Sequence, residues 1–278
     1  MTPREQRLGI IDTHVHSWDM SATHHEWLVD RPDLPRKARL PNKAARRRAG
    51  VTGVLLVEAG AVKIDAAAER GLMLKLVEDD GDVLGIVSPS ELEEDSGRAQ
   101  GSVDAVRGVR VNIRAMTTNV AAEFIVRAVR RAAASARAVE VLCTAGGLAA
   151  VAAAARRTPG HSIVIDHLGA PPARSGRNSE AMGEWREGML ALLRTRDVVV
   201  KISGQTFSGP LLDTVRWVVD EFGTARCMLG SDWPISENAR YGTWFEQVDE
   251  AVGGLDVDIS HVTACRTYGL RPMSLDLK

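Results

Sequence analysis

Eight short apolar runs recur along the chain, each rich in β-branched residues: GIIDTHVH (9–16), VTGVLLVEA (51–59), DVLGIVSPS (82–90), GVRVNIR (108–114), AVEVLCTAG (138–146), SIVIDHLG (162–169), DVVVKISG (197–204) and RCMLGSDW (226–233). Alanine-rich or charged stretches of helical period lie between most of them. Over residues 119–136, Phe124, Ile125, Ala128 and Val129 fall on one helical face; over 209–223, Leu211, Leu212, Val215, Val218, Val219 and Phe222 do the same. Both read as outer helices with one buried stripe, and the alanine-rich segment 121–155 is helix composition, not disorder. Strand alternating with helix is the pattern of βαβ units, whose crossover helices force a parallel sheet. Eight units predict an α/β chain folded as a (β/α)8 TIM barrel, one domain spanning 1–278. An open doubly wound sheet would show the same alternation, but no Gly-rich phosphate loop follows the first strand.

Polar residues interrupt these runs at particular places. A spacing of two along a strand puts Asp12, His14 and His16 on one face and Ile11, Thr13 and Val15 on the other. In a barrel, polar groups at strand C-termini converge on one mouth. His14 and His16 end the first strand, Glu58 the second, His167 the sixth and Asp232 the eighth. Arg110, Asn112 and Arg114 share a face of the fourth strand, opposite Val109, Val111 and Ile113, and Lys201 and Ser203 share a face of the seventh. Any one of these has a bland explanation as a solvated ring or a core ion pair. Their common location makes the mouth the candidate site.

The residue types narrow the chemistry. Three imidazoles and a carboxylate (His14, His16, His167, Asp232) suit one Zn2+ or another borderline divalent ion, with water completing the site. Such an ion lowers the pKa of its water towards about 7 and polarises a carbonyl. Asp232 could both touch the metal and take the proton of the water. Lys201 either steadies an oxyanion or forms a structural ion pair with Glu58. Of the two guanidiniums, the deeper can be satisfied by Glu58, which leaves Arg114, nearer the mouth, to clamp a substrate carboxylate through two hydrogen bonds. Residues 17–44 form a long first βα loop in which His24, His25 and Trp27 either touch substrate or pack the loop. Trp233 and Pro234 shape the turn after Asp232 and line the pocket wall, and Cys143 is a small buried hydrophobe.

With 278 residues, 45% of them hydrophobic and 26% charged, the chain can bury a large core, and its net charge of −1 gives no reason to expect nucleic acid or an anionic membrane. The expected partner is a small molecule, with homo-oligomerisation left open. Cys143, Cys227 and Cys265 are odd in number and lack a Cys-x-x-Cys spacing, so a reducing, cytoplasmic setting fits. No signal-peptide pattern opens the chain, and no apolar run approaches the roughly 20 residues that span a bilayer.

In order along the chain, IDTHVHSWD, GVTGVLLVEA, GVRVNIR, VIDHLGAP, VVVKISG and above all MLGSDWPIS resemble the amidohydrolase superfamily, in the branch of sugar-acid lactonases and 2-pyrone-4,6-dicarboxylate lactonases. The resemblance implies a barrel with His14, His16, His167 and Asp232 at its catalytic centre, a first loop folded over the mouth, and hydrolysis of a lactone. Many members carry a bridging Lys or Glu on the fourth strand and another histidine on the fifth. GVRVNIR and VEVLCTAG supply neither, so at most one metal is expected. The branch also contains enzymes that work without a divalent ion, using the aspartate as base. Two alternatives stand beside lactonase activity: the non-oxidative decarboxylation found elsewhere in the superfamily, and a non-catalytic ligand-binding barrel.

Overall fold

The computed structural model describes residues 8–89, 105–133, 138–204, 209–236 and 240–272. Eight parallel strands follow one another in sequence around a single sheet. They are β1 (Ile10–Val15), β2 (Val51–Val57), β3 (Val83–Pro89), β4 (Val106–Asn112), β5 (Ala138–Leu142), β6 (Ile163–Ile165), β7 (Val198–Ile202) and β8 (Cys227–Leu229). The two edges meet beyond β8. Val15 bridges Trp233 in parallel register, His16 N–H donates to the Trp233 carbonyl at 2.7 Å, and Asp232 N–H donates to the His14 carbonyl at 2.8 Å. The result is a (β/α)8 TIM barrel.

Alternation along each strand sorts side chains between two cores. Val54 and Leu56 on β2, Val109 and Val111 on β4, and Val198, Val200 and Ile202 on β7 face the helical layer. There they meet Ile125, Val129, Leu211, Val215 and Val218, as the helical stripes predict, from helices Thr118–Ala133 and Gly209–Phe222. The opposite faces supply Ile11, Leu55, Val57, Val87, Ala138, Val164, Val199 and Met228 to the barrel interior, where Ala264, Cys265 and Tyr268 of helix Thr263–Tyr268 close the end away from the mouth. Polar groups replace apolar ones only above this plug, and that is what positions the site.

Two sequence expectations change in detail. Asp12 does not share a face with His14 and His16: the β1–β2 register shifts between Asp12 and Val15, and Asp12 turns its carboxylate to Ser231 N–H at 2.8 Å and the Tyr241 hydroxyl at 2.8 Å. The 17–44 segment carries structure of its own. Trp18–Asp19 pairs antiparallel with Lys37–Ala38, and a helical turn spans Glu26–Val29. Of the predicted strand 82–90, Ser90 lies outside the described residues, as do 134–136 of the predicted helix 119–136. No helix among the described residues is long and apolar enough to cross a membrane.

Candidate active site

His14 and His16 leave β1 on the inner side, with their Nε2 atoms 3.1 Å apart. The close approach needs Gly230 on the neighbouring strand end, since a Cβ there would lie 2.6 Å from the His14 Cβ. Asp232 Oδ1 completes a triangle, 3.2 Å from His16 Nε2 and 3.6 Å from His14 Nε2. Asp232 has φ 57°, a left-handed conformation uncommon for a residue with a side chain. The bend aims its carboxylate back at β1.

These three donors fit a divalent ion. Donors at Zn–N and Zn–O distances of about 2.0–2.1 Å in a tetrahedron lie about 3.3 Å apart. Asp232 Oδ1 is buried with no hydrogen-bond partner, as an atom reserved for a cation would be. His16 Nδ1 donates to the Val57 carbonyl at 2.9 Å, the outer contact that fixes a ligating ring.

His167 sits beside this triangle. Its ring centroid is 4.6 Å from that of His14, and its Nδ1 shares a hydrogen bond with Ser203 Oγ at 2.9 Å. His167 also has a left-handed φ of 53°, immediately after β6. Its donor groups with His14 and Asp166, so the four expected ligands form two triads sharing His14 instead of one compact set. Burial holds His167 at about 4, with Arg110 and Lys201 lowering it further against the opposing pull of Asp232. Burial, followed by Lys201, keeps His14 well below its ordinary value. Burial works against ionised Asp232, but His167, His16 and a hydrogen bond from Ser236 Oγ carry it below the usual carboxylate range. Neutral rings and an ionised carboxylate are the forms in which these groups bind cations.

Beneath the histidines lies a buried charge network. Arg110 donates from Nε to Glu58 Oε1 at 2.7 Å and from Nη2 to the Glu58 carbonyl at 2.6 Å, and its Nη1 is 3.9 Å from Asp166 Oδ2. Lys201 does not pair with Glu58. Its amine, fully buried, contacts Glu140 Oε1 at 2.7 Å, the Thr13 carbonyl at 3.1 Å, His14 Nδ1 at 3.2 Å and Asp166 Oδ1 at 3.4 Å. Tyr268 donates its hydroxyl to Glu140 Oε1 at 2.5 Å. Glu140 and Asp166 are therefore site residues that the sequence reading missed. The signal was present, because Ala138, Glu140 and Leu142 share the inner face of β5, and Asp166 follows Val164 by two.

At the rim, Asn112 and Arg114 are both exposed; Asn112 Oδ1 accepts from the Arg114 backbone N–H at 3.2 Å and from its Nε at 3.3 Å. Arg114 has no acidic partner among the described residues. The first loop is braced internally. His24 is exposed and its N–H donates to Asp65 Oδ2, His25 is buried with Nε2 2.9 Å from Thr23 Oγ1, and Trp27 Nε1 donates to the Ala59 carbonyl at 2.7 Å. Trp233 Nε1 donates to the Arg39 carbonyl and its ring meets Tyr241 edge-on, tying this loop to the end of β8. Cys143 is buried, with its thiol pushed up to about 12. A cavity of about 670 Å³ opens on the barrel flank between the hairpin and helix Ala66–Asp79, away from His14, His16, His167 and Asp232.

The mouth of this (β/α)8 barrel gathers imidazoles and an aspartate around one cation-sized space. The model of the amidohydrolase family matches residues 11–258, and the chain belongs to that family. It is similar to an L-fucono-1,5-lactonase from Burkholderia ambifaria, 43% identical over 118 residues that cover 38% of this chain and 39% of the relative. A second L-fucono-1,5-lactonase, from Burkholderia multivorans, is 26% identical over 250 residues, covering 81% of this chain and 82% of the relative. Among solved structures, an amidohydrolase from Burkholderia multivorans with bound zinc superposes with a TM-score of 0.76 at 23% identity, covering 94% and 99% of the two chains. A probable 2-pyrone-4,6-dicarboxylic acid hydrolase from Acinetobacter baumannii gives 0.69 at 16%, covering 95% and 100%. Both share the fold.

Proposed function

We propose that this chain opens a small lactone by water attack, with Asp232 as general base and His14, His16 and Asp232 able to hold one divalent ion, Zn2+ first among them. The observation that carries the reading is Asp232 Oδ1, buried and within 3.6 Å of two imidazole nitrogens, 3.2 Å from the nearer. The names of the two lactonase relatives support a sugar-acid lactone as substrate. An ion in the triangle would supply Lewis acidity to the lactone carbonyl and make the attacking water more acidic. Asp232 takes the proton of that water and returns it to the ring oxygen as the ester bond breaks. His167, held by Ser203, faces the same space as a neutral ring able to hydrogen-bond the substrate. Arg110 is committed to Glu58 and Lys201 to Glu140, which leaves Arg114 to meet a carboxylate, on the lactone itself or on the acid it yields.

The test is a pH-indicator screen of sugar 1,5- and 1,4-lactones and carboxylated lactones, run on protein of measured metal content and again in chelator. Proton release that depends on Asp232 supports the reading. Carbon dioxide release from unsaturated acids, without lactone opening, would replace it with decarboxylation.

A further inference from the structure

The flank cavity of about 670 Å³ arises from the first crossover. Between β1 and β2 the chain places only the six-residue helix Lys43–Arg48 and the single turn Glu26–Val29, whereas the 14 residues of Ala66–Asp79 cover the flank between β2 and β3. A gap is left beside the shorter helix, backed by the hairpin that follows His16. Its size is that of a small-molecule site, and none of His14, His16, His167 and Asp232 lines it. Leu40, Leu72, Met73 and Leu76 give it an apolar wall, and Leu72 is 40% exposed.

The charges around this wall do not balance. Five cationic side chains line the cavity against three carboxylates. Lys37 pairs with Asp19, Lys75 with Asp79, and Lys43 and Arg46 share Asp80. Arg46 is 1% exposed; its Nη2 contacts Asp80 Oδ2 at 2.5 Å and Asp82 Oδ2 at 3.4 Å, but neither Nε nor Nη1 has a hydrogen-bond partner. Buried guanidinium donors without an acceptor are costly unless a bound group supplies one. Arg39 is exposed and has no acidic partner among the described residues. With Asp82 completing the charge of Arg46, this one cation is left over, which matches a singly charged head group such as a carboxylate. The apolar wall matches the rest of such a ligand.

We propose that this cavity binds a small organic carboxylate with an apolar body, its head group held by Arg46 from the buried side and Arg39 from the exposed side. The proposal is independent of the reading of the mouth. The test uses the full chain with 13C-methyl methionine and 4-phenylbutyrate as probe, beside its neutral and cationic counterparts 4-phenylbutan-1-ol and 4-phenylbutylamine. The Met73 signal, assigned by its loss in Met73→Leu, reports on the cavity, and that of Met116, two residues after Arg114, on the mouth. 4-Phenylbutyrate is expected to shift Met73 saturably and to bind about tenfold tighter than the alcohol, with the amine weakest. Arg46→Lys keeps a charge for Asp80 but lacks the spare donors, so it should weaken the carboxylate about tenfold and leave the alcohol unchanged. Arg39→Gln, at an exposed side chain, should weaken it several-fold, and with the charge series it serves if Arg46→Lys does not fold. Equal affinity for carboxylate and alcohol, or unchanged carboxylate affinity in the folded variants, overturns the proposal. So does a carboxylate that moves Met116 and leaves Met73 in place. A Met73 shift with protein concentration alone would give this face to a second copy of the chain and overturn it as well.

Discussion

Asp232 and His16 meet across the seam where the first and last barrel strands join, with the Asp232 carboxylate 3.2 Å from His16 Nε2 and the Trp233 carbonyl accepting from the His16 amide at 2.7 Å. The bonds that close the barrel here come from the backbone, while the side chains face the mouth. Chemistry and closure are therefore separable. Asp232→Asn keeps size and shape but cannot take a proton at neutral pH, so turnover is expected to fall about a thousandfold or more. Thermal unfolding should stay close to wild type. Near-normal turnover in a metal-loaded variant would remove Asp232 from the mechanism.

Arg110 is the cation that the buried network cannot lose. Its guanidinium serves Glu58 through both side chain and carbonyl and lies within 3.9 Å of Asp166. Arg110→Ala leaves buried carboxylates without their counter-charge, for which a destabilisation of about 3–5 kcal/mol is expected in urea unfolding. Glu58→Gln, which keeps an acceptor for the Arg110 Nε–H, should cost less. Equal stability of Arg110→Ala and wild type would show that the carboxylates find other partners.

Much of this was legible in sequence because the physics is local. Apolar, β-branched runs mark the strands, and two-residue spacing separates Val109 and Val111, toward the helices, from Arg110, and puts Lys201 and Ser203 inside together. The histidines and Asp232 stand out because they end apolar runs. What period alone cannot supply is a break in the period. Asp12 leaves the inner face at the register shift in β1, and His167 and Asp232 reach the mouth through left-handed residues beyond their strands. Contacts that join distant segments, such as Tyr268 with Glu140 and Tyr241 with Asp12, leave no mark in either local pattern.

Gly204 sets the position of His167. It has φ 67°, and a Cβ there would lie 2.0 Å from His167 Nδ1, where Ser203 now bonds. Gly204→Ala should therefore displace the ring by the order of an ångström, and a misplacement of that size costs roughly a hundredfold in turnover. Ser203→Ala, which removes the bond without the clash, should cost less. Comparing kcat for the two separates displacement from loss of the hydrogen bond, and equal values would sink the steric argument.

The pH dependence of stability carries a His167 contribution of known sign. Its folded value of about 4 lies below the ordinary 6.5, so between these limits the unfolded chain binds a proton there that the folded chain does not. Stability then rises with pH across this window, and it is lost as pH falls from 6.5 to 4, with no further loss below. His14 shifts in the same direction, so the comparison must be with His167→Gln, which keeps the His14 contribution. Urea unfolding at several pH values should show wild type losing on the order of 1–3 kcal/mol more than the variant across the window. Parallel pH profiles would mean that His167 is not held neutral by burial.

Arg114 is expected to read a carboxylate on the substrate or product. Arg110 and Asn112 precede it on the inner face of β4, but Arg110 is spent on Glu58, and Asn112 is exposed at the rim, accepting from Arg114. A guanidinium at the mouth with no acidic partner among the described residues offers a fork that matches a carboxylate. Arg114→Lys keeps the charge and loses the fork, so KM for a carboxylated lactone should rise several-fold with kcat little changed; Arg114→Ala should raise it further, about tenfold or more. A neutral sugar lactone should show a smaller KM change, because only the acid it yields carries the group. If neutral and carboxylated lactones turn over equally and Arg114→Ala alters neither, the rim arginine does not read the substrate, and selectivity must come from the walls of the mouth.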